Sequence, residues 1–275
     1  MENRTDLAVE SFESKNKTAI DGVKIKERAG VTVVSVLNDK GARAIGKPVG
    51  KYITCSVPSF VNDTDIFDGR LDKLSAALKS LLPENLSSVL VAGVGNLNIT
   101  ADALGPKTNN YVLATRHIVE SRQKPDFFKG FFSVCDITTG VLADTGIESA
   151  EIIKGVVEVT KPSCVIVVDA LAATSSERLG TTVQLSDVGI SPGSGVGNHR
   201  YEISKNTLGV PVVSIGIPTV VSAAAIGGRN TDEKMFVTPR EIDKITEQGA
   251  KLIGMSINVC LQKNISARDL FSLVG

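Results

Sequence analysis

The chain has 275 residues, 42% of them hydrophobic and drawn mainly from Val, Ile, Leu and Ala, with aromatics at 4% and no Trp. That length suits one large α/β domain, and branched aliphatics suit buried parallel strands better than an aromatic-rich interface module. Thirty basic and thirty acidic residues cancel, and with no Lys/Arg run the charge balance leaves no footprint for direct nucleic-acid binding.

The first thirty residues are polar and lack apolar periodicity, so they read as an extended arm, with room for a short helix. Val31–Leu37 and Lys51–Val57 read as strands, joined by a glycine-punctuated connection from Gly41 to Gly50. Asp65–Leu82 repeats apolar residues at helical spacing and stops at Pro83. Ser88–Gly93 is a continuous apolar run, the mark of a strand buried on both faces, and a loop through Pro106 leads to a predicted helix from Lys107 to Glu120. The cycle repeats: strand Phe131–Asp136, helix Ile147–Lys161, strand Cys164–Val168. A helix-like Ser175–Arg178, strand Thr181–Leu185, a glycine-rich loop Asp187–Asn198, strand Val210–Gly216 and helix Thr238–Leu261 complete the chain, with no internal repeat. Alternation of this kind predicts a three-layer α/β sandwich, its twisted sheet mostly parallel and helices on both faces.

The four cysteines, Cys55, Cys135, Cys164 and Cys260, lack CxxC or CxxH spacing and are expected as reduced core residues. Met1–Asp6 holds no apolar signal segment, and no apolar stretch reaches the ~20 residues that span a bilayer, so a cytoplasmic protein is expected.

Open α/β sheets bind ligands outside the carboxyl ends of their strands. Asp102 lies in the loop after the strand ending at Gly93, and Asp169 directly follows Val168. If those strands are neighbours, the two carboxylates meet across the crevice, where both cannot ionise cheaply. One then activates water as a base while the other protonates a leaving amide nitrogen. The plainer alternative is that each acid caps a following helix, as Asp169 would before Ala170–Ala173. Gly93–Gly95 lacks the third glycine of a dinucleotide fingerprint, since Asn98 stands there, and no Lys-Ser/Thr pair follows Gly193–Gly197. Ser194 lies outside a GxSxG elbow. His117 and His199 lie outside HExxH, which leaves a metal site built with the two aspartates as a weaker alternative.

Arg4–Glu10 (RTDLAVE), Gly95–Pro106 (GNLNITADALGP) with Thr115-Arg116-His117, Asp169–Ala173 (DALAA) and Gln184–Asn198 (QLSDVGISPGSGVGN) together resemble the germination proteases of spore-forming bacteria. The likeness runs from residue 4 to about 250. It implies a fold related to the hydrogenase-maturation proteases and an endopeptidase whose catalytic pair falls on Asp102 and Asp169. It further implies substrate contacts from Asn96, Asn98, Arg116, His117, Gly193, Ser194 and Gly195, no metal and no cofactor. The substrates of such enzymes are small acid-soluble spore proteins in the spore core, cut at a motif close to Thr-Glu-(Phe/Ile/Leu)-Ala-Ser-Glu, and the enzymes are homotetramers. Thr5-Asp6-Leu7-Ala8-Val9-Glu10 is similar to that motif, which implies a zymogen that clips itself between Asp6 and Leu7, losing residues 1–6. Four departures stand out: Ser222 where the family pattern has Asp, Thr174 where it has Arg, Ile137–Leu142 (ITTGVL) where it has a Pro-Gly-Val-Met-type loop, and a brief Gly227–Met235 link where many relatives carry an insertion. The competing readings are a metal-dependent hydrogenase-maturation-type protease and a non-enzymatic binding module on the same fold.

Overall fold

A computed structural model describes residues 5–15, 19–62, 65–121, 129–198, 200–227 and 235–274. In chain order the elements are α1 (Ala8–Glu13), β1 (Val23–Arg28), β2 (Val31–Val36), α2 (Asp39–Ile45), β3 (Gly50–Ser56), α3 (Arg70–Lys79), β4 (Ser88–Val94), α4 (Leu104–Asn109) and α5 (Arg116–Val119). Then follow β5 (Ser133–Gly140), α6 (Leu142–Thr145), α7 (Ser149–Thr160), β6 (Cys164–Ala173), β7 (Thr182–Ser186) and α8 (Lys205–Leu208). The chain finishes with β8 (Val212–Ser222), α9 (Ala223–Gly227), β9 (Phe236–Val237), α10 (Ile242–Leu261) and α11 (Ala267–Val274).

One sheet carries the fold, in the order β1-β2-β3-β7-β8-β6-β4-β5, with β9 paired to the far end of β8. The β8-β6-β4-β5 block is parallel, as the apolar runs predict, whereas β1, β2, β3 and β7 form an antiparallel wing. The sheet is therefore mixed, with a parallel core. Alternate residues of β6 face opposite layers. Ile166 and Val168 pack in the cluster that holds α3 and α10, while Val165 and Val167 pack against α7. Further along β6, Leu171 and Ala173 pack under α1.

Several boundaries differ from the sequence reading, each for a local reason. Strand β1 was not anticipated, because VKIKER is mostly charged, as suits a sheet edge facing water. Gly41–Gly50 contains a helix rather than only a connection: the Asn38 side chain caps α2, and Gly46 closes it in a left-handed conformation. The helix expected over 107–120 divides into α4 and α5, because Leu113 N–H donates to Asn258 Oδ1 and Thr115 N–H to Val134 O. Strands β6 and β8 run on past Val168 and Gly216, since each pairs with the other to Ala173 and Val221. Helix α11 was also unforeseen. Cys55, Cys164 and Cys260 are buried, Cys135 is half-buried, and all four are free thiols. The Gly227–Met235 link lies mostly outside the described residues, as does His199. Among the described residues no helix is long and apolar enough to cross a membrane.

Candidate active site

Strand β4 ends at Val94, whereas β6 continues, so Asp169 sits inside a strand at the level where its neighbour stops. Asp169 is thus not a helix cap, and at 4% exposure it is one of the few buried acids. The loop after β4 turns back at Gly95 (φ 124°), where a Cβ would stand 2.0 Å from the Asp102 carbonyl oxygen. A side chain at Gly105 would collide with the carbonyl oxygens of Val94 and Val168, at 2.3 and 2.5 Å. Glycine at these two positions lets the loop and α4 lie directly on β4 and β6. Asp102, in a 3-10 turn over Thr100–Asp102, is thereby brought to the same cavity of about 360 Å³ as Asp169.

Burial is the main reason the Asp169 carboxyl holds its proton well above the usual carboxylate range, and the charges of Asp102 and Asp6 push in the same direction. The Ala170 N–H, 2.9 Å from Asp169 Oδ1, opposes them. Asp102 is also raised, first by burial and further by the Asp144 charge, against the Asn96 N–H that donates to Asp102 Oδ2 at 2.8 Å. Burial thus disfavours the charged form of both acids, and Asp169 is the more enclosed of the two.

The arm fills the groove beside this pair. Instead of an exposed terminus, residues 7–12 are buried, and Leu7 and Ala8 are fully enclosed against Val34, Val36 and Leu171. Burial of a side chain like Leu7 is worth about 1.5–3 kcal/mol. Several polar groups of the arm find partners. Asp6 N–H donates to Ala172 O, and the Asp6 carboxylate accepts from Ala172 N–H and Ser194 Oγ, both at 2.8 Å. A Cβ on Gly195 would lie 2.3 Å from Asp6 Oδ2, so that glycine leaves the space the carboxylate occupies. Glu10 accepts from the N–H groups of Thr174 and Ser175 and pairs with Arg178, while Thr5 Oγ1 donates to Glu10. At the departure from the family pattern, Thr174 gives its backbone N–H to Glu10, and Arg178 is a cation beside the same carboxylate. Lys47 Nζ donates to Thr5 O at 2.8 Å; burial lowers its pKa, and the charges of Asp6 and Glu10 work against that.

The residues singled out from the sequence divide into two groups. Asp102, Asp169, Gly193 and Asp6 line one cavity, with Ser194 and Gly195 against the Asp6 carboxylate. Asn96 is buried behind Asp102, its Nδ2 donating to Asp144 Oδ2 at 2.7 Å. Asn98 is exposed and donates its N–H to Asn96 Oδ1, shaping the loop. Arg116 and His117 stay outside this group: they follow Thr115, which bonds to Val134 near the start of β5, the rim opposite the acids, and Arg116 pairs with Glu120. Among the described residues, no group of three or more His, Cys, Asp or Glu is arranged to hold a metal. Sequence reasoning missed Gln184, Lys47 and Glu10 as arm-holding residues. Gln184 gave one signal, a long polar side chain between Val183 and Leu185, which point into the opposite core.

The model of the germination protease family matches residues 2–233. A germination protease of Clostridium perfringens is 39% identical over 319 aligned positions, covering 97% of each chain, and one of Clostridium tetani is 38% identical over the whole of both. The Bacillus cereus germination protease is 39% identical over 97% of this chain and 76% of its own length. A solved [NiFe] hydrogenase maturation protease, HycI of Thermococcus kodakarensis, covers 66% of this chain and 99% of its own at 20% identity, with a TM-score of 0.38. By the extent of the family match and these end-to-end alignments, the chain belongs to the germination protease family of peptidases.

Proposed function

We propose that this peptidase begins the breakdown of small acid-soluble, DNA-protecting proteins in the germinating spore, and that it is made as a zymogen that cuts its own Asp6–Leu7 bond. One observation carries the reading. Thr5–Glu10, the stretch similar to the family's substrate motif, lies in the groove, and Asp6 lines the same cavity as Asp102 and Asp169. On this reading Ser194 Oγ, Ala172 N–H and the space over Gly195 receive the acidic side chain before the cut. The enclosure around Leu7 receives the apolar residue after it, and the Glu10 seat receives the last acid of the motif. The enzyme would work as a homotetramer in the spore cytoplasm.

The chemistry follows from the two proton affinities. Asp102, ionised, takes a proton from a water whose oxygen attacks the Asp6 carbonyl carbon, and the π electron pair moves onto the carbonyl oxygen. When the tetrahedral species collapses, the C–N pair goes to the Leu7 nitrogen, which takes the proton held by Asp169. The products are a carboxylic acid at Asp6 and an amine at Leu7. Proton exchange with solvent restores the pair.

Incubation of the full chain, followed by mass spectrometry of its N-terminus, tests this. The wild type is expected to lose residues 1–6 and then to cut a peptide containing a Thr-Glu-Phe-Ala-Ser-Glu site, while Asp102→Asn and Asp169→Asn do neither. Clipping of either variant at the wild-type rate would remove the acid pair from the mechanism.

A further inference from the structure

Gln184 stands in an unusual position relative to the bond just described. Its Nε2 donates to the carbonyl oxygen of Asp6 at 2.9 Å, and its Oε1 accepts from the N–H of Ala8 at 2.8 Å. One carboxamide therefore grips the backbone on both sides of Asp6–Leu7, and the orientation of the amide is fixed, because a carbonyl demands a donor and an N–H demands an acceptor. The sheet register explains how it reaches this place. Gln184 on β7 is opposite Gly216 on β8, and Gly216 is opposite Asp169 on β6. Residues opposite one another share a face of the sheet. A Cβ on Gly216 would lie 2.8 Å from Leu171 Cγ, so the strand between Asp169 and Gln184 carries no side chain there. The acid and the amide consequently flank the arm from the same face.

We infer that Gln184 is a catalytic hydrogen-bond donor: it holds the carbonyl of the bond to be cut and stabilises the negative charge that develops on that oxygen, in the arm and in a peptide substrate alike. This rests on the proposed Asp6–Leu7 cut. A fixed donor of this kind acts where charge develops, and losing one costs roughly 10²–10³-fold in rate. No proton leaves the amide. The electron pair that moves onto the Asp6 oxygen during attack returns when the C–N bond breaks. The Oε1 contact to Ala8 meanwhile keeps the departing segment in line.

The test compares first-order self-clipping of the full-length wild type with Gln184→Met, Gln184→Glu and Asp169→Asn, each checked for folding by thermal melting. Gln184→Glu keeps the acceptor for Ala8 N–H but loses the donor, and places a carboxylate opposite the developing charge. Its rate relative to wild type is expected to fall roughly 10²–10³-fold at pH 8. The ratio should recover as pH drops toward the ordinary Glu value near ~4.3, where the protonated acid can donate again. Gln184→Met should lose a similar factor with no recovery, a contrast that a purely structural role would not produce. Clipping by folded Gln184→Met within threefold of wild type, or a Gln184→Glu ratio flat with pH, overturns the inference. If Asp169→Asn is inert in the same experiment, only the role of Gln184 falls; if Asp169→Asn clips normally, the acid-pair reading falls first.

Discussion

Strands β8, β6, β4 and β5 run parallel, the first three lined mainly with Val, Ile, Leu and Ala on both faces, whereas β1, β2, β3 and β7 run antiparallel and turn Val34, Tyr52, Gln184 and Ser186 toward the N-terminal arm. The parallel half supplies the acids: Asp169 projects from β6 where β4 gives out, and the loop after β4 brings Asp102 to it. The antiparallel wing contains neither acid. Its contribution is to hold peptide, through Gln184 on the backbone and an apolar floor under Leu7 and Ala8. A parallel strand end leaves a crevice because neighbouring strands stop at different levels. An antiparallel wing offers a broad face on which an arm can lie. On the proposed mechanism the proton transfers belong to the parallel half, while the wing grips the peptide and, through Gln184, steadies the charge on its carbonyl, with β8 as the seam.

If that division holds, damage to the parallel half should abolish cleavage with little loss of fold. Asp169→Asn is expected to cut clipping by roughly 10²–10⁴-fold, the usual worth of a general acid. It should also stabilise the protein in a pH-dependent way. The folded Asp169 carboxyl keeps its proton to higher pH than an unfolded one, so its contribution is full below the unfolded value near ~4 and is lost as pH rises through the raised folded value. Asn copies the neutral form, so Asp169→Asn should melt above wild type at pH 8, with the gap closing toward pH 4. A variant that melts lower at pH 8 would mean that the folded carboxyl is not the enclosed, protonated group described here. On the gripping side, Glu10→Ala leaves the Thr174 and Ser175 N–H groups without their acceptor while Arg178 keeps its pair with Glu13, a loss of about 2 kcal/mol. Hydrogen exchange should then show residues 7–13 unprotected while β4 and β6 remain protected.

The same division decided what could be read from sequence. Apolar runs such as Ser88–Gly93 and Cys164–Val168 announce buried parallel strands because such strands have no polar face, and Asp102 in the loop after the first and Asp169 directly after the second mark the rim. The wing was harder. β1 is charged along most of its length, since it borders water, and the glycines of Gly41–Gly50 looked like punctuation although Gly41 lies inside α2, against the backbone of Gly22. The arm misled most. Thr5, Asp6 and Glu10 read as solvated residues, yet Thr5 and Glu10 are buried and Asp6 half-buried, held by partners more than 160 positions away at Ala172, Thr174 and Ser194. No local pattern records a hydrogen bond that distant. The likeness of RTDLAVE to the family's substrate motif suggests an arm that occupies the crevice until it is cut, but the local pattern does not record which distant groups hold it there.

Ser194→Ala probes where the two halves meet, because its hydroxyl reaches Asp6 from the loop after β7. Removing that bond to a carboxylate should weaken cleavage after an acidic residue by roughly tenfold, and cleavage of the matching Gln peptide much less. Equal losses on both peptides would show that Ser194 only supports the loop.

The smallest expected change tests the parallel half alone. The Asp144 charge helps raise Asp102, and Asp144 is held by Asn96 Nδ2, a bond that Asn at position 144 could still accept through its own carbonyl oxygen. Asp144→Asn should therefore keep the loop in place while removing one cause of the raised Asp102 pKa. Asp102 would then ionise at lower pH, and the acid limb of the rate profile should move toward lower pH. The alkaline limb, set by loss of the Asp169 proton, should barely move, since burial is the first cause of that shift and Asp144 is not among its causes. A shift of the alkaline limb without the acid limb would reverse the assignment and make Asp102 the proton donor.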